Sequence, residues 1–181
     1  LRSWHNKRAI DHNWTRFNMV LVTSTEPYEF IADLNQSPFN VGTVIELKDF
    51  NLQQVNQMNR GYGSPLSQEQ TSKIFELLNG HPYLTQKTLY LIASKRTTFN
   101  DIIRNANKND GPFSDHLRNH LFRMGEYQEL KTGLLQVINY HRCSDELVFF
   151  RLHGSGLVRR VGNDILPRNT LYENYFKEHL S

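Results

Sequence analysis

A single cysteine, Cys143, among 181 residues excludes an internal disulfide, and one thiol cannot build a zinc site by itself. No motif around it suggests a nucleophile, and it reads as a buried thiol. Long apolar runs are missing too. None approaches the roughly 18 residues a membrane-spanning helix needs, and the start lacks the charged-then-apolar layout of a secretory signal. The expectation is a soluble, cytoplasmic protein with no membrane partner. An excess of one sign of charge is lacking too: the formal net charge is +3 with histidines neutral, and the basic residues are scattered. Charge alone therefore makes no case for nucleic acid. Internal repeats and low-complexity segments are absent. So is any G-x-x-x-x-G-K-[ST] loop, the cradle a nucleotide hydrolase needs for phosphates, and so is a convincing carboxylate after a buried strand to hold magnesium. Val44-Ile45-Glu46 comes nearest, and so few apolar residues precede its carboxylate that it reads as an ordinary edge strand. The chain alone, lacking both Walker elements, is expected to be inactive toward ATP.

What is present argues for a folded chain. Hydrophobic residues make up 38% and charged residues 22%, with eleven Phe and eight Tyr, which is not the composition of a disordered segment. The length suits one or two compact domains. Leu1, Trp4 and Arg8 fall at helical spacing with no capping residue before them, so the sequence reads as a helix met partway, with more chain expected upstream. The run Phe17-Asn18-Met19-Val20-Leu21-Val22-Thr23 has the length and character of a strand buried on both faces. Residues 28–34 suggest a helical turn and 43–47 a second strand. Two strands do not make a stable sheet, so their partners are expected upstream.

From Asn51 the period becomes helical. Leu52, Val55 and Met58 lie on one face until Gly61 and Gly63 interrupt, and Ser67 offers an N-cap for a helix that ends at Asn79-Gly80, where a left-handed cap belongs. Another helix spans about 83–94. Three short helices in sequence make a lid-like bundle. Beyond Thr97, helices are expected near 99–103, over 113–124, 127–140 and 144–153. Residues 156–161 then read as a strand, Gly162-Asn163 as a tight turn and 164–168 as the returning strand, before a closing helix with Leu171, Tyr172, Tyr175, Phe176 and Leu180. Helices, a small hairpin and a helix is the order of a winged helix.

None of the eight histidines belongs to an H-E-x-x-H zinc motif, and one pair alone has the H-x-x-x-H spacing. His116 and His120, four apart, can share a helix face and supply two ligands. With no third ligand in view they read as solvated surface residues, and no metal site is expected. A winged helix also invites a DNA reading, but the segment 144–153 that would enter the major groove sets Asp145 and Glu146 against Arg151 around Leu147-Val148-Phe149-Phe150. That suits packing better than base contact. Arg159 and Arg160 on the hairpin can touch phosphates, so a DNA-binding or protein-interaction module without nucleotide function stays as the alternative.

The stretch Asn79-Gly80-His81-Pro82-Tyr83-Leu84-Thr85 resembles the G-x-P element between the lid helices of signal-transducing NTPases with numerous domains (the STAND class), and more narrowly that of the bacterial AAA-like domain proteins. The likeness continues in Val22-Thr23-Ser24-Thr25-Glu26-Pro27, Asn35-Gln36-Ser37-Pro38-Phe39-Asn40-Val41-Gly42, Asp110-Gly111-Pro112-Phe113, Gly156-Leu157-Val158-Arg159-Arg160 and Pro167-Arg168-Asn169-Thr170-Leu171-Tyr172. It implies a mostly α chain with minor β. Residues 1–50 would end an α/β P-loop NTPase core, 51–96 form a helical lid and 97–181 a winged-helix domain.

The resemblance also implies roles. Thr23, Ser24 and Thr25 stand where the family has sensor 1, polar groups that feel the γ-phosphate. Glu26 follows them where related eukaryotic branches often have Arg, which removes a charge-based sensor from that place. Pro82, between His81 and Tyr83, stands where the family proline packs near the nucleotide base; a plain inter-helix turn is the competing reading. Proline suits a first helical turn, and the N–H groups of Tyr83, Leu84 and Thr85 would face whatever lies there. Arg168 and Tyr172 would contact nucleotide or brace the closed form, against the plainer readings of a surface Arg and a core Tyr. ATP or ADP with Mg2+ would be held only together with the upstream half that carries the P-loop, and none by this chain alone. The implied partners are that half, further copies on activation, and a fused or associated effector.

Overall fold

The computed structural model describes residues 2–22, 43, 45 and 47–180. The chain divides into two units, Leu1–Leu47 and Lys48–Ser181. In the first, α1 (Arg2–Lys7) leads to a 3-10 turn, His12–Arg16, whose N-cap Asp11 accepts from the Asn13 N–H. Trp4, Trp14 and Phe17 gather with ring centroids 6.1 to 6.4 Å apart. The buried strand expected from Phe17 is not found over its described part: residues 17–22 have no regular structure, and Val20 and Val22 are over four-fifths exposed. A strand is held by its neighbours' hydrogen bonds, and no described residue pairs with this run. Thr43, Ile45 and Leu47 lie outside any strand as well. The turn expected at 28–34 lies outside the described residues.

The second unit is helical: α2 (Leu52–Gly61), α3 (Gln68–Leu78), α4 (Pro82–Ala93), α5 (Phe99–Asn105), α6 (Ser114–Met124), α7 (Gln128–Tyr140), α8 (Glu146–Gly154), then β1 (Val158–Val161), β2 (Asp164–Pro167) and α9 (Thr170–Leu180). Mostly α with a small β hairpin is therefore the fold class. Local chemistry sets several starts. Asn51 with Gln54, and Ser67 with Gln70, form reciprocal capping boxes that satisfy two orphan donors each. Thr98 and Asp145 cap α5 and α8. α3 stops where Asn79 turns left-handed at φ 49° and Gly80 follows at 71°. The hairpin pairs Val158 with Pro167 and Val161 with Asp164 across Gly162, which has φ 61°.

One apolar cluster runs through this unit, from Leu66, Ile74 and Leu78 through Leu84, Phe113, Leu134 and Leu152 to Tyr172, Tyr175 and Phe176. α7 packs on α8, α9 and β2, while α9 also reaches α3 and α6. Each fully buried Leu, Ile or Phe contributes about 1.5–3 kcal/mol. α9 is thus the piece that both early and late helices close upon. No helix among the described residues is long and apolar enough to cross a membrane. Cys143 is half-buried instead of buried; its Sγ–H points to the Asp145 carbonyl at 3.3 Å, and burial raises its pKa.

Gly80, in the turn between α3 and α4, is required on two grounds. Its positive φ is one demand for glycine. The other is contact, since a Cβ would overlap the Phe50 carbonyl while the Phe50 N–H donates to the Gly80 carbonyl at 2.9 Å. Gly80→Ala should therefore cost about 2–4 kcal/mol in urea unfolding. Gly61→Ala, with open space around the added methyl and no positive φ, should be neutral or stabilise by up to ~1 kcal/mol. Equal midpoints for the two variants would contradict the packing described.

Candidate functional site

The start of α4 has no side-chain cap, a feature it shares with α6 and α7. His81 occupies the N-cap position without making a capping bond, and Pro82 is the first helical residue. The Thr85 N–H bonds back to the His81 carbonyl at 2.9 Å, which corrects the expectation that it stays open. Tyr83 and Leu84 carry the first-turn N–H groups that remain. A helix end in this state attracts negative charge, through oriented N–H groups and the helix dipole.

The His81 side chain is needed elsewhere. It is 7% exposed, and its Nε2 lies 3.2 Å from the Tyr172 hydroxyl. Tyr172 enters from α9 and is 1% exposed, so its hydroxyl must find partners. It finds a second in His116 Nε2 of α6, at 2.5 Å. A phenol can donate once and accept once, so one imidazole offers a lone pair and the other an N–H. His120 completes the group, its ring 4.7 Å from His116 and 5.6 Å from Tyr172. The Tyr83 ring covers His116 at 5.3 Å, and Lys87 stands over Tyr83 at 5.8 Å. His116 and His120, read as solvated surface residues for want of a third ligand, are thus half-buried instead. They share a helix face, as expected, but that face turns inward onto an aromatic hydroxyl.

Arg168 supplies the charge. Its Nε donates to Asp49 Oδ2 at 3.0 Å and its Nη2 to Asp49 Oδ1 at 2.6 Å, a two-pronged pair that is largely buried. Nη1 reaches the Gly156 carbonyl at only 3.4 Å. Gly156 has φ 73°, and a Cβ there would meet Nη1 at 2.6 Å, so glycine makes room for the guanidinium. Burial works against the Arg168 charge, but the bonds to Asp49 outweigh it and raise its pKa. The same cation acts on the imidazoles. Burial first and Arg168 next lower His81 to about 3, with His116 also contributing and Asp49 pulling the other way. Burial, Lys87 and Arg168 lower His116 to about 4. Burial, His116, Arg123 and Arg168 lower His120 to about 4. Burial pushes the Tyr172 phenol above its ordinary value.

At neutral pH the site is therefore a fixed cation, its carboxylate, a neutral phenol and three neutral imidazoles. His81 Nδ1 is buried and has no hydrogen-bond partner among the described residues. No group of three His, Cys, Asp or Glu among them is arranged to hold a metal ion. With Tyr172 protonated and no thiol in the group, the arrangement suits binding an acceptor or an anion more than nucleophilic chemistry.

Of the residues singled out from sequence, His81, Arg168 and Tyr172 come together, with Pro82 and Tyr83 at the adjoining helix start. Thr23, Ser24 and Thr25 lie outside the described residues. Asp49 and Gly156 were missed as site residues, since a lone Asp after an apolar stretch and a glycine before a strand carry no local signal of a distant arginine. Away from the site, α8 presents Leu147, 74% exposed, and Phe150. Arg151 on that helix pairs with Glu129, and Arg160 of the hairpin covers the Phe149 ring at 4.6 Å.

The model of a family described as AAA-like domain matches residues 1–178. An uncharacterized WD repeat-containing protein of Synechocystis sp. is 29% identical over 97% of this chain, which spans 17% of that protein's length. No solved structure matches.

The lowered histidine values set a pH dependence. In the unfolded chain these rings bind protons below their ordinary value of 6.5, whereas in the folded chain they wait until about 4 or 3. Between those limits the unfolded state holds more protons, so stability rises with pH. It is fully present above 6.5 and is lost as pH falls toward 4. Because the rings repel one another, the loss should be less than the sum of the shifts, on the order of 2–5 kcal/mol. Urea melts at pH 7, 5.5 and 4.5 measure it, and His116→Gln should flatten the slope relative to wild type. An unchanged slope in the variant would remove His116 from the buried group.

Proposed function

The chain belongs to the AAA-like domain family, and from that premise we propose that it is the C-terminal lid and winged-helix part of an ATP-dependent signalling switch of the STAND class. Residues 1–50 end the α/β nucleotide-binding core, 51–96 form the lid and 97–181 the winged helix. Family membership points to a nucleotide-related signalling role. The order α6, α7, α8, hairpin, α9 supports the winged-helix reading, as α2, α3 and α4 support the lid.

The observation that carries the proposal is the convergence at α4. A G-x-P turn, an uncapped helix N-terminus, a buried imidazole with a spare nitrogen and a partly buried guanidinium come together from segments far apart in sequence. Arginine's planar fork matches phosphate oxygens, and a free helix start adds backbone donors. In this reading the upstream half, with its P-loop, holds ATP or ADP with Mg2+. Thr23, Ser24 and Thr25 sense the γ-phosphate, Pro82 and Tyr83 shape the lid against the base, His81 and Arg168 face the phosphates and Tyr172 braces the closed form. Nucleotide exchange or hydrolysis then shifts the balance between closed and open arrangements. That exposes surface for self-assembly or releases a fused effector in the cytoplasm. WD repeats, named in the Synechocystis relative, are one kind of module such a switch would govern.

Two measurements test this. The 181-residue chain alone should show no micromolar affinity for ATP with magnesium in isothermal titration and no phosphate release above background. In the full-length protein, Pro82→Ala and Tyr83→Ala should each weaken nucleotide binding about tenfold, roughly 1.4 kcal/mol. Tyr83 is 47% exposed, so truncating it should leave the ligand-free thermal midpoint almost unchanged. A Pro82→Ala protein that melts earlier yet binds nucleotide as wild type does would reduce the G-x-P element to a structural turn.

A further inference from the structure

We infer that Asp49 is an internal stand-in for a phosphate-bearing ligand: its carboxylate occupies the Arg168 fork, and ligand and carboxylate compete for it. The inference rests on the proposed role of Arg168 in facing phosphates and adds the device that regulates it.

The geometry supplies the argument. Asp49 uses both carboxylate oxygens, and Arg168 answers with Nε and Nη2 at 3.0 and 2.6 Å. A phosphate presents two oxygens to a guanidinium in the same way. Only Nη1 is poorly engaged. If the pair were purely structural, its surroundings should be satisfied by it, and they are not. His81, at the start of α4, is 7% exposed and keeps a buried Nδ1 without a partner among the described residues. That nitrogen, on a ring whose titration already feels the Arg168 charge, is a donor an anion larger than a carboxylate and anchored on Arg168 would engage.

The carboxylate also lies outside any helix or strand. Asp49 belongs to the short strap Lys48–Phe50, which precedes the N-cap of α2 and has no regular structure of its own. Apart from Asp49, the strap is fastened by the Phe50 N–H to the Gly80 carbonyl, in the turn that leads to His81. Displacing Asp49 returns a carboxylate to water and leaves the buried cation neutralised by the ligand, so no uncompensated charge remains inside. Removing Asp49 without a ligand does leave one, which makes the site more attractive to anions. The strap, the G-x-P turn and the arginine thereby form one latch: ligand on Arg168 frees Asp49, and the freed strap loosens at Phe50.

Pyrophosphate, titrated calorimetrically into the 181-residue chain at low ionic strength, tests the competition, with ADP as a parallel arm. Asp49→Asn should bind pyrophosphate at least tenfold more tightly than wild type, and Asp49→Glu should stay near wild type. The gain should vanish in Asp49→Asn/Arg168→Gln. No gain, or a gain that survives Arg168→Gln, overturns the latch. A gain for ADP as well supports a nucleotide as the competing anion, whereas a gain for pyrophosphate alone supports a latch that answers to inorganic polyphosphate. Should Asp49→Asn fail to fold, hydrogen exchange in the wild-type chain decides: saturating pyrophosphate should speed exchange of the Phe50 amide several-fold, and unchanged or slower exchange counts against the latch. The two readings fail separately. If Arg168→Gln leaves nucleotide affinity of the full-length protein unchanged, the clamp falls, while the pyrophosphate result still judges the latch.

Discussion

The buried hydroxyl of Tyr172 is the constraint around which the Lys48–Ser181 unit is organised. A phenol ring 1% exposed contributes a large apolar area to the core, but its oxygen has to be paired. Two imidazoles meet that demand, one from the turn before α4 and one from α6. α9 is thereby tied by polar contacts to two elements of distant sequence, in addition to its apolar packing. Moving α9 would break a small hydrogen-bonded network as well as a hydrophobic contact, and such a network has few alternative arrangements.

That network depends on charge as much as on shape. Two protonated imidazoles could not both serve the phenol, because one of them must accept its proton or leave it unpaired. Burial and the nearby Arg168 guanidinium keep the rings neutral. Asp49 in turn keeps Arg168 tolerable inside the fold, since a partly buried cation without a partner is costly. The carboxylate on the strap and the phenol on α9 are therefore linked through the arginine, which pairs with the first and biases the histidines that serve the second.

The helices of this unit were legible in the sequence because their signals are local. Ser67, Asn79-Gly80 and Gly162 each specify a start, a stop or a turn within a few residues. His81, Pro82, Tyr83, Arg168 and Tyr172 were legible only through a resemblance that places them in motifs. Asp49 was not, as its partner is 119 residues away. His116 and His120 gave a signal in their spacing of four, but spacing fixes only a shared face. Whether that face meets solvent or the Tyr172 hydroxyl depends on α9, far downstream. The run from Phe17 failed for a related reason: apolar character suits a buried strand, yet a strand exists only where another backbone completes its hydrogen bonds.

The groups nearest the guanidinium lie at the ends of elements, unlike Tyr172, His116 and His120, which are inside helices. His81 precedes α4, Arg168 follows β2 and Asp49 precedes α2, so each backbone there has groups outside the regular ladders. A residue inside a helix is held by bonds on both sides, and moving it costs several at once. Asp49 and Phe50 are held by the salt bridge and the bond to Gly80, while Tyr172 sits in the core with its helix closed behind it. A ligand that engages Arg168 would thus act on an irregular segment through a cation anchored beside the core. In that arrangement a local exchange of one anion for another can release the strap while the packing around Tyr172 stays intact.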